Sequence, residues 1–541
     1  MTANANQPAS EAVSPAAKRR GPDLTEDPIG RLLIALAVPA GIGFFFMIAY
    51  NLVDTVWANQ YPAPGEAANP TGAALARSFG PFFLMQAFSI GLMQGTTALV
   101  ANALGAKEQN RARHIIAQAM IAGVLVGITL FLIATVIPVP GREGTFIAFY
   151  YEVLSSGNAE AVRLGLAYIY PIVFLAPALI VISVFNAILS AKGDFTTFGI
   201  VQVAAFFANL ILDPILVFGG TPFSLYGLNV DLPNFLPELG VAGLAWATVI
   251  TQLAGAVVVM IVALRTGIFS GLKLREFIPF WPLLSQVIGQ GVPAAVNMLL
   301  IAGGFISIQF FVPEIAKQAG SVLLETMSPA EAGEAAVNGY MNAARIEQLL
   351  LLPVIGLELA LISIVGNNLG ARKEERIWRA YRLAMISALV VTIVGMIIQF
   401  AGHSLFPSWI NESDETLRVS SGMLSISAFL LPAFALVFMN SGTLQGMKRP
   451  LFAMIINSVR LVVGPFVVYL VISQIAPGNL FAFWVGYGAV AWGCGVFAVW
   501  YTPGRMRRVI SREFASPAAW QSPRARGKPY DGQTVDRARP G

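Results

Sequence analysis

Cysteine is almost missing from this chain of 541 residues, and Cys494 stands alone. No internal disulfide can form, and no cysteine cluster can hold a metal. Histidine is as scarce: His114 and His403 cannot build a zinc site by themselves. Charge is thin as well. Charged residues are 12% of the chain, about half of the roughly 25% usual in a soluble domain. A His-Glu-x-x-His pattern, a nucleophile elbow and a phosphate-binding loop are all lacking. The sequence therefore predicts that the chain is not an enzyme and needs no cofactor.

What is present is apolar. Hydrophobic residues make up 56% and mean hydropathy is +0.69. A membrane-spanning helix takes roughly 20 apolar residues, and runs of that kind recur. Twelve spans are expected, at about 31–56, 79–104, 114–138, 164–191, 196–219, 239–264, 280–311, 336–368, 381–403, 419–446, 451–474 and 479–503. The chain reads as an all-α polytopic membrane protein. Residues 1–30, polar and rich in Ala, Pro and Ser, are expected to form a disordered tail. A cleaved signal peptide does not fit, because the first apolar run is too long and lacks a small-residue cleavage site.

The net charge of +5 suggests nucleic acid only until it is mapped. With both termini placed inside, 27 of the 34 Lys and Arg residues fall on the inner side and five on the outer, while Arg345 and Arg460 lie within spans. This is the positive-inside pattern. It predicts a multi-pass protein of the cell (inner) membrane with both termini cytoplasmic. The basic segment 504–541 anchors topology, and lipid bilayer rather than nucleic acid is the partner. Nothing in the sequence calls for an obligate protein partner.

The chain also repeats itself. Asn102 to Met120 reads NALGAKEQNRARHIIAQAM, and Asn367 to Met385 reads NNLGARKEERIWRAYRLAM, 265 positions later. Val38-Pro39-Ala40 matches Val292-Pro293-Ala294 at an offset of 254, and Leu175-Ala176-Pro177-Ala178 matches Leu430-Leu431-Pro432-Ala433 at 255. The changing offset requires length differences in the loops after spans 1 and 3, which tolerate insertion. A half of six spans is even, so the repeats run parallel. The halves are expected at 31–265 and 281–503, joined by a cytoplasmic linker at 266–280. Paired bundles of this kind move something across a bilayer.

Ionisable groups at membrane depth are costly and point to function. Asp54 lies in span 1. Asp213 lies in span 5 with Asn209 one turn before it, on the same face. Tyr50 and Asn51 share the face of Asp54, and Thr248 sits in span 6. These oxygens could converge on a proton or a small cation, since two neighbouring carboxylates away from water cannot both ionise cheaply. The competing reading is interhelical glue. At the matching positions the second half carries Ile308 and Val468, so the acid chemistry is one-sided. Span 8 carries Arg345, Glu347 and Glu358, the two acids on one face, and Arg460 lies in span 11. These four are candidates for a cavity or for ion pairs. Pro39 removes a backbone bond from span 1 and predicts a kink. Gly91-x-x-x-Gly95 reads as close helix packing.

These residues together resemble the MATE (multidrug and toxic compound extrusion) family, over roughly residues 30–505. The resemblance is carried by Pro39 with Tyr50-Asn51-Leu52-Val53-Asp54-Thr55, by the two Leu-Gly-Ala phrases, and by Asn209-x-x-Leu212-Asp213-Pro214-Ile215-Leu216-Val217-Phe218-Gly219. Gly240-Val241-Ala242-Gly243 leading to Ala247-Thr248, and Arg345-Ile346-Glu347, add to it. It favours the prokaryotic DinF-like branch over the NorM-like branch, which uses an acid in span 7 where this chain has Asn297. The resemblance implies a V-shaped pair of six-helix lobes, alternating access, and export of small organic, often cationic, multidrug-type cargo against H+ or Na+. It implies cation coupling, including a possible Na+ site, at Asp54, Asn209, Asp213 and Thr248, with Tyr50 nearby and Pro39 as the bend. Glu358 falls where the family is usually uncharged. A flippase for lipid-linked saccharides, from the same superfamily, is the alternative. It would need a basic central cavity, to which Arg345 and Arg460 could contribute.

Overall fold

The structure is a computed structural model. It describes residues 21–60, 70–139, 144–154, 159–220, 223–225, 228–230, 237–272, 274–409 and 413–515. Among them, twelve helices are long and apolar enough to cross a membrane. In chain order, spans 1 to 6 are Ile29–Ala58, Gly80–Gly105, Gln109–Thr135, Val162–Ala191, Thr196–Phe218 and Val241–Arg265. Spans 7 to 12 are Trp281–Ala316, Pro329–Gly370, Glu374–Ala401, Asp414–Gly446, Leu451–Ile475 and Leu480–Ala515. Helices are what apolar runs of this length must form, because lipid offers the backbone no partner and a helix satisfies its own N–H and C=O groups.

All twelve expected spans are present, and the differences lie at the ends and in the loops. Residues 21–28, expected within a disordered tail, form a turn in which Leu24 is buried. Its carbonyl accepts from the side chain of Asn368 at 2.9 Å, and Lys373 pairs with Glu26. Span 12 does not stop near 503. It runs on as helix to Ala515, and Glu513 pairs with Lys448 at 2.7 Å. Among the described residues, the fold is helical apart from a two-stranded antiparallel hairpin, Phe223–Leu225 with Leu228–Val230, between spans 5 and 6, and a single bridge between Pro138 and Thr145. A nine-residue helix, Phe146–Leu154, also precedes span 4. Neither short element has the length that hydropathy alone detects.

Some helix starts are written in the sequence. Ser328 and Glu331 form a reciprocal capping box at span 8, with Ser328 N donating to the Glu331 carboxylate at 2.9 Å. Ser413 accepts from Thr416 N at 3.3 Å at span 10.

The two halves use the same packing plan. In the first, span 1 packs on 5, 2 on 4, and 4 on 6. In the second, 7 packs on 11, 8 on 10, and 10 on 12. Between the halves, spans 1 and 2 meet spans 7 and 8, chiefly 1 against 8 and 2 against 7 and 8. The glycine pair of span 2 serves this seam. Gly91 lies on the backbone of Ala295 and Gly95 on that of Gly291, both in span 7. A side chain at either position would hold the helices apart.

The repeated phrase folds into the same loop twice. Lys107 and Arg372 both take a left-handed backbone, with φ of 59° and 57°. The bonds closing each turn also correspond: Ala106 N to Asn102 O at 3.0 Å, and Ala371 N to Asn367 O at 2.9 Å. Such a cap satisfies the last carbonyls of a helix and stops it sharply.

The three large clusters of buried apolar side chains lie one in each half and one across the seam, and each half holds a smaller cluster besides. Large apolar residues such as Ile34, Phe174, Ile475 and Trp500 are exposed on the outer faces. A soluble protein would hide them, whereas a lipid-facing surface requires them.

Candidate functional site

Asp54 and Asp213 come from different helices and meet inside the first half. Span 1 delivers Asp54, span 5 delivers Asn209 and Asp213, span 6 delivers Thr248, and all four are buried. The carboxyl groups of Asp54 and Asp213 lie close enough to influence each other directly. Asn209 Nδ2 donates to Asp213 Oδ1 at 2.9 Å, as expected from their spacing of one helical turn. Thr248 donates to Asp54 Oδ2 at 3.2 Å.

A third donor was not legible in the sequence. Tyr168, in span 4, gives its hydroxyl proton to the same Asp54 Oδ2 at 3.1 Å. It is one of several aromatics in an apolar run, and no local pattern sets it apart. Tyr50 was expected near the acids. It is buried beside the acids, but its hydroxyl pairs with Thr251 at 3.4 Å rather than with Asp54. The side chain of Asn51 lies outside the described residues.

Three oxygens in the cluster have no hydrogen-bond partner among the described residues: Asp54 Oδ1, Asn209 Oδ1 and Asp213 Oδ2. All three are buried acceptors. An unpaired buried acceptor costs about 1–3 kcal/mol, more when charged, and three side by side call for something positive. A proton shared by the carboxyls would meet that need. So would a small cation, since oxygen ligands suit hard ions. No group of three or more His, Cys, Asp and Glu residues able to hold a metal occurs among the described residues, so the donor set here is one of mixed oxygens.

Pro39 sits inside the helix of span 1, pressed between two others. Its carbonyl lies against Gly199 of span 5, and one turn of span 1 around Ala37 and Gly41 lies against Gly356 of span 8. At the matching positions of the second half, Ile308 and Val468 are both buried in one apolar cluster. That half has no acid pair there.

The remaining candidates are scattered. Arg345 was expected to reach another helix or a cavity. It is exposed and bonds to Asn342 of its own helix at 3.3 Å. Glu358 is buried and accepts from Gln445 at 3.4 Å. Arg460 is buried and was a candidate partner for an acid, yet it forms no ion pair among the described residues. Its Nε donates to Asn457 at 3.1 Å, and Glu347 and Glu358 act on it only at longer range.

A duplicated bundle of twelve spans with a buried oxygen cluster in one half defines a polytopic membrane transporter. The sequence model of the MatE family matches residues 39–215 and again residues 293–470, and the chain belongs to that family. The two matched stretches begin at Pro39 and Pro293, the pair from which the repeat was aligned. A curated relative from Thermotoga maritima, a probable multidrug resistance protein NorM, is 23% identical over 85% of this chain and 89% of its own length. An FAD transporter from Shewanella oneidensis is 24% identical over 81% of this chain and 87% of its own. A solved structure described as an outward-facing multidrug resistance MATE family transporter of the MOP superfamily superposes with a TM-score of 0.74. It is 21% identical and covers 90% of this chain and 98% of its own, a likeness of fold.

Proposed function

We propose that this MATE-family transporter is a secondary active antiporter of the DinF-like branch. It exports organic, often cationic compounds from the cytoplasm in exchange for H+ or Na+. The carrying observation is the cluster of Asp54, Asp213 and Asn209, with three buried acceptor oxygens that lack partners. An ion entering from outside binds there, cargo leaves, the halves rock, and the ion is released on the side that holds both termini. A membrane potential contributes about 2.3 kcal/mol per charge per 100 mV, so one ion supports a substantial cargo gradient. The multidrug resistance names of several relatives support export. The absence of acids at Ile308 and Val468 supports coupling in the first half only.

The saccharide flippase reading has less support. Its basic cavity would draw on Arg345 and Arg460, which share their half with the acids Glu347 and Glu358.

The test is dye efflux from energised vesicles carrying the reconstituted chain, with pH and Na+ gradients imposed separately. Asp54→Asn and Asp213→Asn should each abolish efflux driven by the coupling ion. Unchanged efflux in both variants would overturn the assignment, and movement of a lipid-linked saccharide without any dye would favour the flippase.

A further inference from the structure

Exposed arginines gather where span 9 begins and span 12 ends. Span 12 carries Arg507 and Arg508 on its continuation past the apolar run, and span 9 carries Arg379 and Arg382 in its first turns. Beneath them, Met506, Val509 and Ile510 of span 12 are buried in the same apolar cluster as Ile377 and Tyr381 of span 9. The helical period that buries those residues leaves the basic ones on the outer surface. Trp378 joins the two sets. The Arg507 guanidinium lies 6.0 Å from its ring centre, and Arg382 Nε donates to its carbonyl at 3.4 Å.

The direction in which these arginines face identifies their partner. On span 9 one exposed stripe runs Arg379, Arg382, Ile386, Val390 and Ile393, each step three or four residues. On span 12 the exposed stripe runs Val496, Trp500, Gly504 and Arg507. In both helices the basic group continues a stripe whose apolar part faces acyl chains. The cations therefore stand at headgroup level on the lipid-facing surface, and a tryptophan beside them suits that level. Acids nearby are engaged elsewhere: Glu374 accepts from Trp378 Nε1 at 3.2 Å, and Glu513 pairs with Lys448 at 2.7 Å. Glu375 remains, one turn before Arg379. Arg379, Arg382, Arg507 and Arg508 form no ion pair among the described residues.

We propose that the ends of spans 9 and 12 form a binding site for an anionic phospholipid, in the leaflet on the side that holds both termini. Arg382 and Arg507 flank Trp378 and take the phosphate, whose oxygens match a guanidinium fork. Arg379 and Arg508 add positive field, as basic pockets between spans do for anionic headgroups. The acyl chains lie along Ile386, Val390 and Trp500. A free phosphate would meet the arginines but gain nothing from the two apolar stripes. The site is separate from the Asp54 cluster and takes no part in binding the coupling ion.

The probes are phosphatidylglycerol and phosphatidylcholine, titrated separately onto the delipidated full chain in detergent, with bound lipid counted by native mass spectrometry. The wild type should bind phosphatidylglycerol at least about tenfold more tightly. The double variant Arg382→Gln with Arg507→Gln should lose that preference. Arg265→Gln with Arg275→Gln, two exposed arginines beside the linker between spans 6 and 7, should keep it. Equal loss in both doubles would assign the preference to diffuse positive charge and overturn the site, as would the absence of any preference in the wild type. Displacement of the lipid by glycerol 3-phosphate at a comparable concentration would assign a free-phosphate site instead and overturn the lipid. A second measurement leaves the arginines in place. Ser511 is exposed one turn beyond Arg507, and Cys494 is buried, so Ser511→Cys can be labelled selectively. In nanodiscs a fluorophore there should be quenched at a several-fold lower fraction of doxyl-labelled phosphatidylglycerol than of doxyl-labelled phosphatidylcholine. Equal quenching would overturn the site even if the double variant does not fold.

Discussion

Gly105, at the end of span 2, rests directly on the backbone carbonyl of Asn367 in span 8. Gly370, at the end of span 8, rests in the same way on the carbonyl of Asn102 in span 2. The contact is reciprocal, and the repeated phrase supplies both sides of it. Neither position has room for a Cβ. Any cycle that opens the molecule at this end has to break the contact, and any closure has to remake it. Gly105→Val and Gly370→Val should each leave spans 2 and 8 unable to close. The expected result is a drop in gradient-driven efflux of more than about tenfold, with spin labels on the two span ends held further apart than in wild type.

The donors to Asp54 can be ranked. Tyr168 and Thr248 both reach Oδ2, and a hydrogen bond to a charged group is worth about 1.5–3 kcal/mol. Tyr168→Phe and Thr248→Val should therefore lower the affinity-driven phase of ion-coupled efflux by roughly tenfold. Tyr50→Phe should have a smaller effect, because its hydroxyl bonds to Thr251. Initial rates measured across a series of ion gradients check the order.

Pro39 leaves the carbonyl of Ala35 without its helical partner. Pro39→Ala restores that bond and stiffens span 1 where Gly199 and Gly356 grip it. Thermal stability should hold or rise, while turnover falls. A variant with lower stability and normal turnover would assign the proline to packing alone.

Asn368 joins three segments. Its amide donates to Leu24 O at 2.9 Å and to Ile364 O at 2.8 Å, and its oxygen accepts from Arg376 at 3.0 Å. Asn368→Ala leaves buried groups unpaired and should cost about 1–3 kcal/mol. Arg345→Ala, on an exposed face, should be nearly neutral, within about 0.5 kcal/mol. Unfolding followed by intrinsic fluorescence in detergent separates the two.

Much of this architecture was open to reading. Spans show because lipid demands long apolar helices, and the duplication shows because two copies keep a phrase and a proline at nearly constant offset. Asn209 and Asp213 could be paired by helical spacing alone. Tyr168 could not be found, because its role depends on how span 4 rotates against span 1. For the same reason hydropathy places Arg345 in a span but does not say which way it faces.

The amino-acid order by itself determined the number of spans, their parallel repeat and the confinement of the aspartate pair to the first half. These follow from composition and period, which are local properties. The tertiary structure alone decided that Asp54 meets Asp213, that Arg460 finds Asn457 instead of an acid, and that Gly105 and Gly370 lock the halves together. Each of those facts joins residues far apart in the chain, and only packing sets the distances and rotations that bring such residues together.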